Sequence, residues 1–331
     1  MRALTGPAGY PTLEVMKALI GYAVLAPSTH NTQPWRFAID GPLIRILPDG
    51  SRRLPVIDPE DRELFISLGC ALENLVLAAR HAGYEPTVDL FAPGEPDGCL
   101  RVRLTPAPPV SSPLVDAIAR RQTNRRDYDG RPIPPADLGR LAAVPCEPGV
   151  LVHVRSDPAA FETVVDLVRE ADSRQLDDEA FRNELAAWIR FNAADAAVRG
   201  DGLTAGSLDV PEAPRWVGEW GLRFVLTGVR QAVKDERLIR SSAALALVTT
   251  TADDRRAWVA AGRTFERFAL TATTLDVQLA HLNAPCEVPG LRADVTRRLE
   301  VEGHAQLLLR LGYAPPLPRA PRRPLSAVLI R

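Results

Sequence analysis

Two short stretches carry the residue types that could do chemistry. Residues 27–35, PSTHNTQPW, set Ser28, Thr29, Asn31 and Gln33 between a helix-ending proline and a tryptophan. Each carboxamide supplies a donor pair and an acceptor, enough to read the edge of a flat heterocycle, and Trp35 adds a broad apolar face. The same residues could build a turn, with Asn and Ser satisfying local backbone groups. That alternative suits Ser28 and leaves Asn31, Gln33 and Trp35 without a job. Residues 120–126, RRQTNRR, put Arg121, Thr123 and Arg125 at the mouth of a short helix. Guanidinium groups are rigid forks that match phosphate oxygens, and a hydroxyl adds a further donor. A second cluster, Arg319, Arg322 and Arg323, lies in the C-terminal tail. Either run could instead be solvated charge, because lysine occurs only at Lys17 and Lys234 and arginine supplies nearly all the positive charge.

Other chemistries find less support. The five histidines are dispersed and lack HExxH spacing, so no metal site is expected. Cys70, Cys99, Cys146 and Cys286 show neither zinc nor redox spacing, which suits a reducing cytoplasm. GDGLTAG at 200–206 has the wrong spacing for a nucleotide loop and follows a helical segment, so it reads as a flexible loop. No nucleophile elbow or Cys–His signature stands out, and no catalytic side chain is nominated.

A chain of 331 residues, 46% hydrophobic, can bury a large core in one or two domains. A formal net charge of -1 gives no electrostatic case for nucleic acid or an anionic membrane. No apolar run reads as approaching the roughly 20 residues needed to cross a bilayer, and the start lacks a leader's apolar segment.

The elements that must position these stretches are partly legible. Apolar spacing predicts a helix over about 13–24, ended by Pro27. A hairpin follows around Asp40-Gly41, then a helix N-capped by Asp58 with Leu64, Leu68, Leu72, Leu75 and Ala79 as its stripe. TVDLF and LRVRL pair as strands, and Ser112-Pro113 opens a short helix. VLVHVR is a strand, with helices beginning near Asp157 and Asp177. AALALVTT is a buried strand, followed by a long helix over about 254–280 and an extended, proline-punctuated tail. Helices and strands do not alternate regularly, which predicts an α+β fold with mixed or antiparallel sheets surrounded by helices. Residues 69–79 and 262–272 share Gly, Leu/Phe, Glu, Leu/Phe, Leu and Ala at constant spacing. That pattern fits either duplicated halves or ordinary helix packing.

Pro27-Ser28 and Asn31-Thr32-Gln33-Pro34-Trp35 resemble the APSxxNxQPW signature of the flavin-dependent nitroreductase family. Arg121-Gln122-Thr123-Asn124-Arg125 resembles that family's phosphate grip, and LGYAPPLPRAPRRPL its closing segment. The order is unusual, because the grip follows the signature and no grip precedes Ser28. This order and the chain length resemble the Acg-like subfamily, in which a degenerate nitroreductase dimer is fused. The resemblance implies two pseudo-symmetric halves, about 10–110 and 111–331, and one composite FMN site per chain.

It also implies that Arg121, Thr123 and Arg125, with Arg322 or Arg323, hold the phosphate, while Ser28, Asn31 and Gln33 meet the isoalloxazine. Residues 195–240, beyond a minimal nitroreductase and holding Gly, Pro and two Trp, fit either a lid over the flavin or a surface excursion packed elsewhere. The implied activity passes hydride from NAD(P)H through FMN to a nitroaromatic, quinone or similar acceptor. The alternatives are an FMN-sequestering protein with a closed pocket, or a small-molecule-binding module without flavin. With the halves fused, a monomer and a homodimer both fit.

Overall fold

The computed structural model describes residues 9–224 and 226–330. The start of the chain on which the absence of a leader was read includes residues 1–8, which lie outside the described residues. The first half runs α1 (Leu13–Ala23), β1 (Trp35–Asp40), β2 (Leu43–Pro48), α2 (Arg62–His81), β3 (Tyr84–Leu90) and β4 (Leu100–Pro106). Two short helices follow, α3 (Pro113–Ile118) and α4 (Pro135–Ala142), and then β5 (Val150–Arg155). Next come α5 (Pro158–Asp177), α6 (Glu179–Trp188), β6 (Ile189–Arg190), α7 (Ala193–Arg199), β7 (Leu203–Thr204), α8 (Arg215–Phe224) and α9 (Gly228–Arg240). The chain then forms β8 (Ala244–Thr250), α10 (Arg255–Thr274), β9 (Gln278–His281) and α11 (Ala284–Glu287). It closes with α12 (Leu291–Arg298), β10 (His304–Gly312), α13 (Leu325–Val328) and β11 (Leu329–Ile330).

The two main sheets share a plan. The first has the order β11-β1-β2-β4-β3 and the second β5-β8-β10-β9. Apart from β11, which joins β1 in parallel, neighbouring strands in both sheets are antiparallel. Strand, strand, helix, strand, strand therefore recurs with the same spatial order, as β1-β2-α2-β3-β4 and as β5-β8-α10-β9-β10. In the first unit Asp40 and Leu43 close a tight hairpin with Gly41 at φ +53°. In the second, the hairpin is opened by α5 to α9.

Helices α2 and α10 pack across one another at the centre of the core, flanked by Phe65, Leu68, Leu72, Phe265 and Phe268. Their crossing is backbone to backbone. A Cβ on Gly69 would lie 2.2 Å from the carbonyl oxygen of Val259, and one on Gly262 would lie 2.0 Å from that of Ile66. Each clash is with the residue three positions before the partner glycine, so the contact is reciprocal. Only glycine lets the helices approach this closely.

Several local expectations hold. Ser112, Asp157 and Asp254 each accept a backbone N–H at a helix start. Asp58 does not cap α2 as its N-cap residue: the helix begins at Arg62 after Asp61 at φ 62°, and the Asp58 carboxylate instead reaches forward to the Leu64 N–H at 2.9 Å. The long helix expected over 254–280 stops at Thr274. Thr271, Thr273 and Thr274 hydroxyls bond back to carbonyls, Asp276 turns the chain at φ 56°, and Gln278–His281 becomes β9. The membrane expectation also needs correcting. By length and composition, α2 could cross a bilayer, at 20 residues and mean hydropathy 1.2, but 83% of that apolar window is buried inside the protein.

Candidate functional site

The turn after α1 is wound tightly. His30, Asn31 and Gln33 all have positive φ, at 49°, 54° and 52°. Non-glycine residues pay for that conformation, and asparagine tolerates it best. Ser28 Oγ accepts from the Gln33 N–H at 2.9 Å, locking the loop. The turn reading of Ser28 is thus correct, yet Ser28 also lines a cavity of about 330 Å³ with Thr29, His30 and Asn31.

The opposite wall comes from the later half. The Thr123 backbone bridges Leu279 in parallel, and the Asn124 N–H donates to the Leu279 carbonyl at 2.9 Å. This stitching holds 121–125 extended along β9 and points Arg121, Thr123 and Arg125 into the same cavity. From the tail come Arg319 and Arg322. Four guanidiniums therefore converge on one space, which sequence spacing could not establish.

Their local duties differ. Arg322 caps the end of α1, donating to the carbonyls of Val24, Leu25 and Ala26 and to Asn31 Oδ1 at 3.0 Å. Those carbonyls have no intrahelical partner, so the cation there is well placed. Burial first, then Arg121, lowers the Arg322 pKa to about 9, and burial with Arg310 lowers that of Arg125 to about 10. Both stay protonated at neutral pH. Arg121 is 5% exposed, and its Nε and Nη1 are buried without a hydrogen-bond partner. Among the described residues its ion-pair partner is Glu266, 3.6 Å away and itself fully buried. Burial pushes the Glu266 carboxyl up to about 7 against the pull of Arg121.

Imidazole and carboxyl groups complete the wall. Burial and the nearby Arg125 lower His30 to about 4 and His281 to about 3, so neither imidazole is charged at neutral pH. Across the cavity, Glu63 accepts from Thr29 Oγ1 at 2.7 Å and from Asn283 Nδ2 at 2.9 Å. Burial, then Glu63, raises Glu287 to about 8.

Not every expected residue faces this space. Gln33 and Arg323 do not line it. The Gln33 side chain donates to the Gly200 carbonyl at 2.9 Å and accepts from the Arg323 N–H at 2.8 Å. The Arg323 guanidinium reaches Ala327 and lies 3.5 Å from Asp49. Both brace the tail and the 200–202 loop against the turn. Trp35, imagined as a ring platform, is fully buried in the core as the first residue of β1. The Asn31 amide donates to Gly202 and Pro321 carbonyls, both at 3.1 Å. GDGLTAG, read as a flexible loop, is pinned to the turn at Gly200 and Gly202.

Sequence reasoning missed Glu266, Glu63, Glu287 and His281. Glu266 carried a signal, being the one ionisable position shared by the 69–79 and 262–272 pattern. Its counterpart Glu73 is also buried against arginines, accepting from Arg263 and Arg267 at 2.9 and 2.6 Å. Among the described residues, no group of three or more His, Cys, Asp or Glu could hold a metal ion.

With this geometry in hand, comparison with known proteins defines the class. No family model matches the chain. The chain is 32% identical to "Putative NAD(P)H nitroreductase Rv3131" of Mycobacterium tuberculosis over 98% of its own length and 94% of that protein. It is 26% identical to "Putative NAD(P)H nitroreductase acg" of the same organism, covering 96% of each. A crystal structure of the FMN-dependent nitroreductase NfnB from Mycobacterium smegmatis in complex with NADPH overlaps 65% of this chain and 96% of its own, at 13% identity and a TM-score of 0.44. The chain belongs to the NAD(P)H nitroreductase family.

Proposed function

We propose that the cavity holds one FMN per chain and that the protein is an FMN-dependent oxidoreductase. The observation that carries this reading is the convergence of four guanidiniums, Arg121, Arg125, Arg319 and Arg322, on one cavity, with Arg121 buried and only loosely paired to Glu266 at 3.6 Å. Like charges crowded into a partly buried space repel one another, and a phosphate dianion would relieve that. Arg121, Thr123 and Arg125 would take the phosphate, with Arg322 setting the far edge while capping α1. Ser28 and the Asn31 turn would border the isoalloxazine. Gln33 and Arg323 would act at one remove, holding the turn in shape. When bound, the flavin supplies the hydride chemistry between NAD(P)H and a nitroaromatic, quinone or similar acceptor. The chain's part is to exclude water and fix the ring.

On this reading the two halves, about 10–110 and 111–331, descend from one duplicated unit. The matching strand orders and the reciprocal Gly69–Gly262 contact support that. Each half then lends one wall to a single site.

A pH dependence follows from Glu266. Below about 7 its carboxyl is neutral and leaves Arg121 to the phosphate; above about 7 the carboxylate competes for the same guanidinium. FMN affinity is therefore expected to fall as pH rises from 6 to 9. Glu266→Gln should flatten the fall, and a slope unchanged in that variant would remove Glu266 from the site.

A second reading has its own support. Residues 195–240 would be a cover, since Gly200 and Gly202 are tied to Gln33 and Asn31, and Arg125 donates to the Ser207 carbonyl at 3.3 Å. A cover so anchored suits a protein that keeps FMN from substrates. Anaerobic mixing of the flavin-loaded protein with NADH or NADPH separates the two. Bleaching on a turnover timescale supports the oxidoreductase, and lasting yellow colour supports sequestration.

A further inference from the structure

Beneath α6, α8 and α9 lies a second cavity of about 700 Å³, which meets the first at Arg125, Leu203 and His281. Its walls are largely apolar, built by Leu176, Phe181, Phe191, Leu208 and Leu222 among others. That volume and lining suit a small organic molecule. One buried polar atom on a lining residue makes no hydrogen bond: Arg310 Nη1, on a residue 1% exposed. Arg310 is otherwise rigidly held. Its Nη2 donates to the Arg126 carbonyl at 2.8 Å, and its guanidinium stacks 4.1 Å above the Tyr128 ring.

We propose that this cavity is a second ligand site, which takes an apolar molecule ending in a carboxylate seated on Arg310. Charge favours that head group. Arg125, Lys234 and Arg310 line the cavity against two carboxyls, Asp172 and Asp235, which sit side by side. Burial, then Asp235, raises Asp172 to about 8, so the pair keeps a proton at neutral pH, shared between the two carboxyls, and adds less than two negative charges to the wall. An uncharged hydrocarbon would leave Arg310 Nη1 without a hydrogen bond, whereas a carboxylate supplies one. This site shares Arg125, Leu203 and His281 with the first cavity, but neither Arg121 nor Asn31 touches it.

Equilibrium dialysis of 2-naphthoate, with 2-methylnaphthalene as its headless counterpart, tests the site on the whole protein. Saturable binding of one naphthoate per chain is expected. Arg310→Met should weaken naphthoate at least tenfold and leave methylnaphthalene within twofold. Gly221→Phe provides a second arm should Arg310→Met fail to fold. Gly221 lines the cavity on α8, where an added Cβ would meet no atom within 4 Å, and the phenyl ring should weaken both ligands at least tenfold. Absent naphthoate binding, or binding untouched by either substitution, overturns the proposal. So does binding lost in Arg121→Ala, which would put the probe in the first cavity.

Discussion

Arg121→Ala is expected to weaken FMN binding by at least about 30-fold and to leave the fold intact. Removing one partner of a buried, hydrogen-bonded charge pair costs roughly 2–5 kcal/mol, and 2 kcal/mol is about 30-fold in affinity. The effect should be confined to binding. The Arg121 Nε and Nη1 make no internal hydrogen bond. Its neighbour Glu266 already sits near neutrality, so it takes up a proton rather than remain a lone buried charge. Titration of the flavin-free variant with FMN gives the affinity, and its thermal midpoint without FMN checks the fold. An affinity equal to wild type would remove Arg121 from the site.

The largest stability effect is expected at the helix crossing. Gly262→Ala drives a methyl group to 2.0 Å from the Ile66 carbonyl oxygen and 3.0 Å from the Gly69 Cα. Backbone atoms on both sides leave no flexible side chain to give way, so α2 and α10 must separate along their packed length. A cost of about 3 kcal/mol, the upper end for overpacking, follows. Gly139→Ala is the control. On exposed α4 its Cβ would meet nothing within 4 Å, so the same substitution should gain roughly 0.5–1 kcal/mol through helix propensity alone. Denaturant unfolding of the two variants distinguishes them, and a wild-type midpoint for Gly262→Ala would contradict the close crossing.

The sequence was most readable where the cause was local. Alternating apolar residues around Asp40-Gly41 specified a hairpin, and Ser112, Asp157 and Asp254 announced helices because a cap acts within three residues. The run from Thr271 to Thr274 misled for a related reason. Its apolar period continues that of α10, while the stop depends on β-branched threonines and on the place β9 finds beside β10. The candidate site was legible as two stretches of the right residue types, but their convergence rests on long-range pairing. Thr123 meets Leu279, and Arg322 reaches back to the end of α1. Trp35 and Gln33 show the same limit from the other side. Residue type marked them for a ligand, and tertiary packing assigned one to the core and the other to a brace. Glu266 could have been found, since an acid recurring among core positions needs a cationic partner.

The central claim is one composite mononucleotide site shared by the Asn31 turn and the Arg121 segment. Spectrophotometric titration of the flavin-free protein with FMN tests it most directly. A break at one flavin per chain, lost in Arg121→Ala, is the predicted result; no uptake, or uptake of two per chain, would contradict it.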